Sequence, residues 1–251
     1  MVLYPTQPLH RPRPPAHPHG QPLVWLFDLD NTLHDSSRAM FQAIDTAMTR
    51  AVQTLAACDH DTANALRLKY WQRYGATVIG MVRHHNACAR QFLDLSHNFD
   101  VASLVHADRG IARTLGNLPG RKILLTNAPR NYARQVLETL GVLPQFDGLW
   151  GIDDMHLQGR LRPKPSLALM RQIASRLDVA PRHVILVEDT LRNLKSAHQT
   201  GMKTVHIHHP DTPFSAVSRG RLPWVDVRIT ALHQLTRQRA LWHTPNRMDR
   251  A

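Results

Sequence analysis

Short runs of consecutive apolar residues, each followed by a helical pattern, recur through the second half of this 251-residue chain. Residues 184–187 form such a run, and residues 23–27 form a similar one near the N-terminus. Strands whose side chains are all apolar are covered by other elements on both faces. Strands that alternate with helices build a parallel sheet with helices on each side. We therefore expect an α/β fold with a doubly wound, mostly parallel sheet.

The stretch between the first two predicted strands is helical in pattern. Residues 38–57 place apolar side chains three and four residues apart, and a second helical pattern follows with Asp61 as its predicted N-cap. No strand pattern interrupts this stretch before Gly116. We therefore expect an inserted, all-helical domain. The predicted divisions are a sheet domain from residues 23–37 and 117–233, and a helical domain from residues 38–116.

The two ends of the chain are predicted to be flexible. Residues 1–22 are rich in proline and histidine, and they contain too few apolar side chains to offset the chain entropy lost on folding. Residues 234–251 are basic and polar, and we expect a flexible tail there. We assign neither segment a role in function.

Composition narrows the range of partners. The formal charge of +12 favours an anionic partner. Its arginines are scattered, without a dense basic block or interleaved aromatic residues, which disfavours nucleic acid. Composition alone does not choose between the remaining anionic partners, a membrane surface and a phosphorylated small molecule. There is no apolar run of membrane-spanning length and no apolar leader, and Cys58 and Cys88 form no disulfide framework. A cytoplasmic location is expected, and the oligomeric state is not predicted.

Polar side chains stand where the predicted strands end. Asp28 and Asp30 follow the first strand, and their two-residue spacing directs both side chains into one site while the backbone stays extended. Two carboxylates that close are unfavourable unless a cation offsets them or one keeps its proton. Other polar residues at strand ends or in the following loops are expected at the same edge of the sheet. They are Thr126, Asn127, Lys164, Glu188 and Asp189.

These residues lie in four segments whose order resembles the signature of the haloacid dehalogenase-like (HAD) hydrolase superfamily. The segments are FDLDNTL (27–33), LLTN (124–127), RPKP (162–165) and LVEDTLRN (186–193). The resemblance spans roughly residues 23–230. It implies a Rossmann-like core with an inserted helical cap.

The resemblance also implies a division of labour between the first two carboxylates. Asp28 would be the nucleophile that forms an aspartyl-phosphate. Asp30 would protonate the leaving oxygen and later take a proton from water. Dehalogenases of this superfamily lack the second carboxylate, so Asp30 favours an oxygen leaving group. Phosphomutases keep both acids and stay open as an alternative.

Phosphate and metal binding are implied for the remaining residues. Thr126, Asn127 and Lys164 would bind the phosphate. The metal ligands would be Asp28, the main-chain carbonyl of Asp30, and Asp189, with Glu188 as a direct or water-mediated helper. Ligands that are all oxygen suit Mg²⁺.

Within the superfamily, the chain resembles the pyrimidine 5'-nucleotidase branch. The segments that carry this resemblance are FDLDNTLH (27–34), YGATVIGM (74–81), TNAPRNYA (126–133) and VEDTLRNLKSA (187–197). The chain departs from the branch at His34, Ala76 and Glu188, where an aromatic residue, Thr and Asp are more usual. Tyr74 and Thr77 are the predicted specificity residues, with packing in the core or between domains as the alternative.

We therefore expect a Mg²⁺-dependent phosphomonoesterase that acts through an aspartyl-phosphate on UMP or CMP. One alternative is a phosphatase for another small metabolite, such as phosphoglycolate or a sugar phosphate. A different alternative is a non-catalytic binding protein with the same fold. The intact acid pair disfavours this last alternative, because a binding module has little use for a nucleophile beside a general acid.

Overall fold

The structure is a computed structural model that describes residues 23–36, 39–106, 110–208 and 221–242. The predicted leader at residues 1–22 lies outside the described residues. The strands, in chain order, are β1 (Val24–Phe27), β2 (Arg121–Leu125), β3 (Gly148–Trp150), β4 (His156–Leu157), β5 (Arg160–Leu161), β6 (Val184–Glu188), β7 (Lys203–Ile207) and β8 (Val227–Ile229).

Helices and short 3-10 turns connect these strands. The helices are α1 (Ala39–Ala56), α2 (His60–Tyr74), α3 (Thr77–His85), α4 (Ala89–Ser96), α5 (Ile111–Asn117), α6 (Arg130–Thr139), α7 (Leu167–Leu177) and α8 (Leu191–His198). The 3-10 turns are Ala102–Leu104, Leu143–Gln145, Ile152–Asp154, Pro181–His183, Leu232–Arg237 and Arg239–Leu241. Among the described helices, none combines the length and apolarity needed to cross a membrane.

A six-stranded parallel sheet has the order β3-β2-β1-β6-β7-β8, while β4 and β5 form a separate antiparallel pair. The order reverses beside β1, which pairs with β2 on one side and with β6 on the other. Phe27 of β1 is level with Leu124 and Val187 of these neighbours. Open α/β sheets bind ligands at the carboxyl ends of strands at such a switch point. The fold thus confirms the predicted doubly wound sheet.

Strand β1 shows why the sheet needs cover on both faces. Trp25 and Phe27 lie in the core layer formed with α5 and α6, and Val24 and Leu26 lie in the opposite layer formed with α7 and α8. All four side chains are fully buried. Burying each such side chain contributes about 1.5–3 kcal/mol, so neither face is stable exposed to water.

Helices α1 to α4 pack around a third apolar cluster. Ala51 and Val52 of α1 lie in this cluster, whereas Met40 and Ile44, nearer the start of the helix, pack with the sheet core. The helix therefore leads from the core into the helical domain. At Gly80 of α3, an added Cβ would lie within 2.4 Å of the Tyr70 ring, so α2 and α3 approach closely there.

Two local features of the helical region differ from the sequence prediction. The N-cap of α2 is Asp59, whose side chain accepts the Thr62 N–H, and Asp61 lies in the first turn instead. All but the last residue of helix α5 falls inside residues 38–116, yet its Ile111 and Leu115 pack in the core cluster of the sheet. The division into core and cap at residue 116 stays a prediction.

The segment after β8 packs on the core, where the sequence predicted a flexible tail from Gln234. Leu235 and Leu241 are buried. The Trp242 ring meets the Trp25 ring edge-on, with 5.3 Å between the ring centroids. The structure differs from the prediction because a few apolar side chains, spaced among basic ones, all face the sheet. Residues 243–251 lie outside the described residues.

Candidate active site

Asp28 is the first residue after β1, and it lies in a buried ionic group with Lys164 and Glu188. Lys164 Nζ donates to Asp28 Oδ1 at 2.6 Å and to Glu188 Oε2 at 2.7 Å. Burial by itself lowers the pKa of Lys164, but the charges of Asp28 and Glu188 outweigh it and raise that pKa above its ordinary value. Lys164 is therefore a fixed positive charge beneath the end of β1.

Asp28, Glu188 and Asp189 form an acidic cluster, in which one carboxylate oxygen of each residue lies within 4.8 Å of those of the other two. Burial and the charge of Glu188 raise the pKa of Asp28 to about 8. Burial and the charge of Asp28 raise the pKa of Asp189 to about 6. When all three carboxyl groups are ionised, the one ammonium of Lys164 leaves an excess of two negative charges. A divalent cation cancels that excess, and an all-oxygen donor set fits Mg²⁺.

The carboxylate of Asp30 lies apart from this cluster and has its own partners. Its Oδ1 accepts hydrogen bonds from the Tyr132 hydroxyl at 2.7 Å and from Ser36 Oγ at 3.0 Å, and His34 Nε2 is also 3.0 Å away. Burial alone raises the pKa of Asp30, but the hydrogen bonds of His34, Tyr132 and Ser36 overcome it and lower that pKa below its ordinary value. The two acids of FDLDNTL thus have opposite surroundings.

Asn127 and Thr126 follow β2 and face the same site. Asn127 Nδ2 donates to the Lys164 carbonyl, and its Oδ1 accepts the Lys164 N–H, both at 2.9 Å. The side chain of Asn127 therefore holds the backbone that carries the lysine. Thr126 is buried, and its hydroxyl oxygen accepts the Ala128 N–H at 3.0 Å. Both residues line the cavity, and their contact with phosphate stays a prediction.

A cavity of about 260 Å³ extends from these groups to the helical domain. Its wall on that side is largely apolar. The apolar residues that line it there are Phe41, Ile44, Met48, Leu68, Trp71, Val78, Phe92 and Leu93. Thr77 also lines the cavity. Tyr74, the other predicted specificity residue, does not line it, and its hydroxyl lies 2.8 Å from His84 Nε2 elsewhere on the helical domain.

One ion pair interrupts the apolar wall. Arg67 Nη1 donates to Asp45 Oδ1, and Arg67 Nη2 donates to Asn64 Oδ1 at 2.9 Å. The hydroxyl of Thr77 donates to the Arg67 carbonyl at 3.1 Å, which ties α3 to α2. Arg67 and Asp45 both line the cavity, so a polar edge faces the otherwise apolar space.

Arg192 and Gly75 join the two parts of the molecule beside the cavity. The Arg192 guanidinium carbon lies 4.9 Å from the centroid of the Trp71 ring, and its Nη1 donates to the Gln72 carbonyl at 3.3 Å. An added Cβ at Gly75 would lie 2.7 Å from the Lys164 carbonyl. Only glycine permits so close an approach, which is reinforced by the positive φ of 84° at this position.

The sequence prediction did not assign several side chains that the structure places here. His34, Ser36 and Tyr132 all contact Asp30, and Arg192 bridges to Trp71. A signal for the first two was their position within six residues of Asp30. Tyr132 stands in the first turn of α6, whose start faces the carboxyl end of the sheet.

Comparison with known proteins agrees with this fold. Residues 25–207 match the model of the haloacid dehalogenase-like hydrolase family. That range contains the acidic cluster, Lys164 and Asp30. The chain therefore belongs to this family, as its four segments predicted.

Individual relatives are distant. The chain is 26% identical over 209 residues to phosphoglycolate phosphatase of Shigella boydii, covering 71% of this chain and 78% of that protein. It is 25% identical over 212 residues to Phosphate metabolism protein 8 of Saccharomyces cerevisiae, covering 78% of this chain but only 64% of the yeast protein. The chain thus spans less than two thirds of that relative's length.

A solved structure shows the same fold. The HAD phosphatase from Thermococcus onnurineus aligns with a TM-score of 0.59 at 19% identity, over 86% of this chain and 96% of that one. At this level of identity the similarity establishes the fold alone. The family match and the relatives together identify a HAD-family hydrolase with phosphatases among its relatives. They do not confirm the pyrimidine 5'-nucleotidase branch.

Proposed function

We propose that the protein is a Mg²⁺-dependent phosphomonoesterase in which Asp28 is the nucleophile. The observation that carries the proposal is the pairing of buried Asp28 with Lys164 at 2.6 Å, at the switch point of the sheet, with Asp30 held separately two residues away. Lys164 provides positive charge where the phosphoryl oxygens of the substrate gather negative charge.

The reaction has two steps. A carboxylate oxygen of Asp28 bonds to phosphorus while the bond from phosphorus to the ester oxygen breaks, and Asp30 gives its proton to the departing oxygen. Because the pKa of Asp30 lies below its ordinary value, the protonated form that acts here is the minor form at neutral pH. Water then attacks the phosphorus of the aspartyl-phosphate and loses a proton to Asp30, while the bond from phosphorus to the Asp28 oxygen breaks. Inorganic phosphate leaves, and both side chains return to their starting states.

The acidic cluster fits a resident Mg²⁺. Asp28 and Asp189 would hold it through their side chains, and Asp30 through its main-chain carbonyl. When bound, the ion supplies charge that offsets the carboxylates and the transferring phosphoryl group. Glu188 fits a helper's role, because its Oε2 accepts from Lys164 and its Oε1 accepts the Thr190 N–H at 3.1 Å.

The apolar lining of the cavity favours a substrate whose leaving group has an apolar ring face. We propose that the substrates are pyrimidine nucleoside 5'-monophosphates. A cavity of 260 Å³ is small beside the roughly 300–1,000 Å³ typical of ligand pockets, which favours a single ring over a purine. The polar edge formed by Asp45 and Arg67, with Thr77 beside it, offers hydrogen bonds to the rim of a base. Tyr74 does not line the cavity and has no part in this substrate proposal.

Phosphoglycolate is the second candidate, because relatives of 26% identity carry the name phosphoglycolate phosphatase. Its carboxylate requires a cation in the wall opposite the phosphate. The charge of Arg67 is neutralised by Asp45, so that pair suits a neutral base better than a carboxylate, and Arg192 lies against the Trp71 ring and backbone carbonyls. The apolar wall therefore favours the nucleotide.

Phosphate release from UMP, CMP, AMP, GMP and phosphoglycolate, with saturating Mg²⁺ and with EDTA, tests both parts of the proposal. We expect UMP or CMP to have the highest kcat/KM, by about 10- to 200-fold, because shape alone discriminates modestly. If phosphoglycolate or a purine nucleotide has the highest value, the substrate assignment is wrong and the phosphatase mechanism stands. If no phosphate ester is hydrolysed with Mg²⁺ present, the phosphatase assignment is wrong.

A further inference from the structure

The hydrogen bonds of the Asp30 carboxylate converge on one of its two oxygens. We propose that His34, Ser36 and Tyr132 are positioning residues that hold Oδ1 of Asp30, so that Oδ2 alone exchanges the proton with the leaving group and with water. This inference rests on the proposed function, in which Asp30 is the general acid and base.

The distances define the convergence. Tyr132 Oη, Ser36 Oγ and His34 Nε2 lie 2.7, 3.0 and 3.0 Å from Oδ1, in that order. Within the described part of the chain, no side chain or backbone group donates to Oδ2. Asp30 itself lines the cavity. Its Oδ2, which has no protein donor among the described residues, is therefore the oxygen proposed to meet the substrate.

Ser36 is held in place by a reciprocal contact with Asn31. The Ser36 N–H donates to Asn31 Oδ1 at 3.1 Å, and the Asn31 N–H donates to Ser36 Oγ at 3.3 Å. Asn31 has a φ of 56°, a conformation that asparagine adopts more readily than most residues. The turn after β1 therefore returns the serine hydroxyl to Asp30 before any substrate arrives.

His34 supplies the second donor from the same turn. Its ring is buried, and its Nδ1 has no hydrogen-bond partner among the described residues. An unpaired N–H in a buried site is more unfavourable than an unpaired lone pair. A hydrogen on Nε2 is therefore favoured, and the ring donates it to Oδ1.

Tyr132 comes from the far side of the site and is separated from Asp30 by 102 positions in the chain. Its ring is buried, and the rings of His97 and Phe99 pack against it edge-on at centroid distances of 5.2 and 6.1 Å. Both of these residues follow α4. The tyrosine is thus fixed by the segment that leads out of the helical domain.

The convergence has a chemical consequence for the general acid. A carboxyl group carries its proton on either oxygen, and only one of them can face the ester oxygen of a bound substrate. Three donors around Oδ1 favour that oxygen as the acceptor in both protonation states, so the proton resides on Oδ2. The Oδ2–H bond breaks as the leaving oxygen gains the proton, and Oδ2 regains a proton from water in the second step. No rotation of the carboxyl group is needed between the two steps.

A leaving-group series tests the inference without relying on nucleotides. The kcat/KM values of wild type and Tyr132→Phe are compared for 4-nitrophenyl phosphate, whose phenolate leaves without help, and for phenyl phosphate, whose phenolate needs a proton. We expect Tyr132→Phe to lose about 10-fold or more on phenyl phosphate and no more than about 3-fold on 4-nitrophenyl phosphate. Asp30→Asn removes the general acid itself, so it gives the largest expected ratio between the loss on phenyl phosphate and the loss on 4-nitrophenyl phosphate.

Two further comparisons separate positioning from general damage. Tyr74→Phe removes a tyrosine hydroxyl that contacts His84 away from the cavity, and it is expected to leave the ratio of the two esters unchanged. His34→Leu is expected to shift the ratio as Tyr132→Phe does, whereas His34→Gln keeps a side-chain N–H donor and is expected to recover part of the loss.

Equal losses on both esters in Tyr132→Phe and His34→Leu, with activity retained in wild type, would overturn this inference alone. The phosphatase assignment would still stand in that case. A wild-type protein that cleaves neither ester with Mg²⁺ present would overturn both. Activity on 4-nitrophenyl phosphate also reports whether each variant is folded, so loss of folding is not mistaken for loss of positioning.

Discussion

The two walls of the cavity differ in charge, in burial and in how their side chains are held. The wall at the carboxyl end of the sheet, here called the sheet wall, consists of buried ionic groups. In it, Lys164 Nζ lies within 2.7 Å of a carboxylate oxygen of Asp28 and of Glu188. The wall formed by the helical domain is mainly apolar, with the Asp45–Arg67 pair as its polar edge. The first wall suits charge that develops in a reaction, and the second suits a fixed molecular shape.

This difference indicates that the reaction takes place at the sheet wall and that the substrate is selected at the helical wall. The acids of the sheet wall stand at or just after the ends of β1 and β6, strands that each pair with two neighbours, and Lys164 reaches them from the loop before α7. Preorganised charges of this kind act on the transition state. Residues of the helical wall lie on α1, α2, α3 and α4, outside the sheet, although Ile44 also packs in the core cluster of the sheet. Changes to the two walls should therefore have different kinetic signatures.

The largest expected effect is the loss of turnover in Asp28→Asn. The variant lacks the nucleophile and one metal ligand but keeps the shape of the side chain, so we expect activity to fall by on the order of 10⁴-fold or more with the fold intact. Phosphate release and a thermal unfolding curve measure the two properties. Asp61→Asn, at a fully exposed position, is the matched control.

Near-normal turnover in Asp28→Asn would contradict the assignment of the nucleophile. So would recovery of the covalent phosphate on a different residue in the wild-type protein. Either result would remove the contrast between a sheet wall that carries the reaction and a helical wall that selects the substrate.

The charged wall should also make the stability of metal-free protein depend on pH. The folded-state pKa of Asp28 is about 8, against an ordinary value of 3.8. Between pH 6.5 and 8 the folded protein therefore keeps a proton that the unfolded chain has released, and its stability falls as the pH rises, by up to about 1.4 kcal/mol per pH unit. In EDTA we expect the free energy of unfolding to drop by about 1–2 kcal/mol over this range.

Urea unfolding at pH 6.5 and at pH 8, with EDTA and with excess Mg²⁺, checks this dependence. His97 and His206 have folded-state pKa values of about 4 and act in the opposite direction, but only as the pH falls below their ordinary value of 6.5. Mg²⁺ should raise the stability more at pH 8 than at pH 6.5, and Asp28→Asn should lose most of the slope. A stability that rises with pH in EDTA would contradict the account of the cluster.

The smallest expected effect belongs to the helical wall. Trp71→Ala removes part of the apolar surface and the ring under Arg192, a contact of about 0.5–1 kcal/mol at an exposed site. We expect KM for UMP to rise by about 2- to 5-fold, with kcat on 4-nitrophenyl phosphate little changed. Trp71→Phe keeps a ring and is the control. A fall in kcat for both substrates, with KM unchanged, would instead show that Trp71 acts on the reaction, as residues of the sheet wall do.

Much of the fold and of the reactive wall could be predicted from the sequence because their signals are local. The apolar run of residues 23–27 predicts a strand covered on both faces, and the strand is there, with its side chains divided between two core layers. The order of the acidic and basic residues along the chain predicted that they meet, since carboxyl ends of parallel strands share one edge. Lys164 does lie on Asp28, although the two are separated by 136 positions.

The helical wall and the tail were less predictable for a physical reason. A helix carries apolar residues on one stripe, and the pattern does not tell which neighbour covers that stripe. Tyr74 and Trp71 are three residues apart on α2, yet only Trp71 lines the cavity. The same ambiguity applies after β8, where Leu235 and Leu241 are buried in a segment that reads as basic and polar.

The strands of the parallel sheet, the helices that alternate with them and the acids after the first strand follow from the sequence, because backbone preferences and apolar spacing act over a few residues. Only the tertiary structure decided which side chains surround each acid. His34 and Ser36 reach Asp30 through a tight turn, and Tyr132 reaches it across 102 positions. Such contacts depend on how the helices pack on the sheet, and packing is a property of the whole folded chain rather than of any segment.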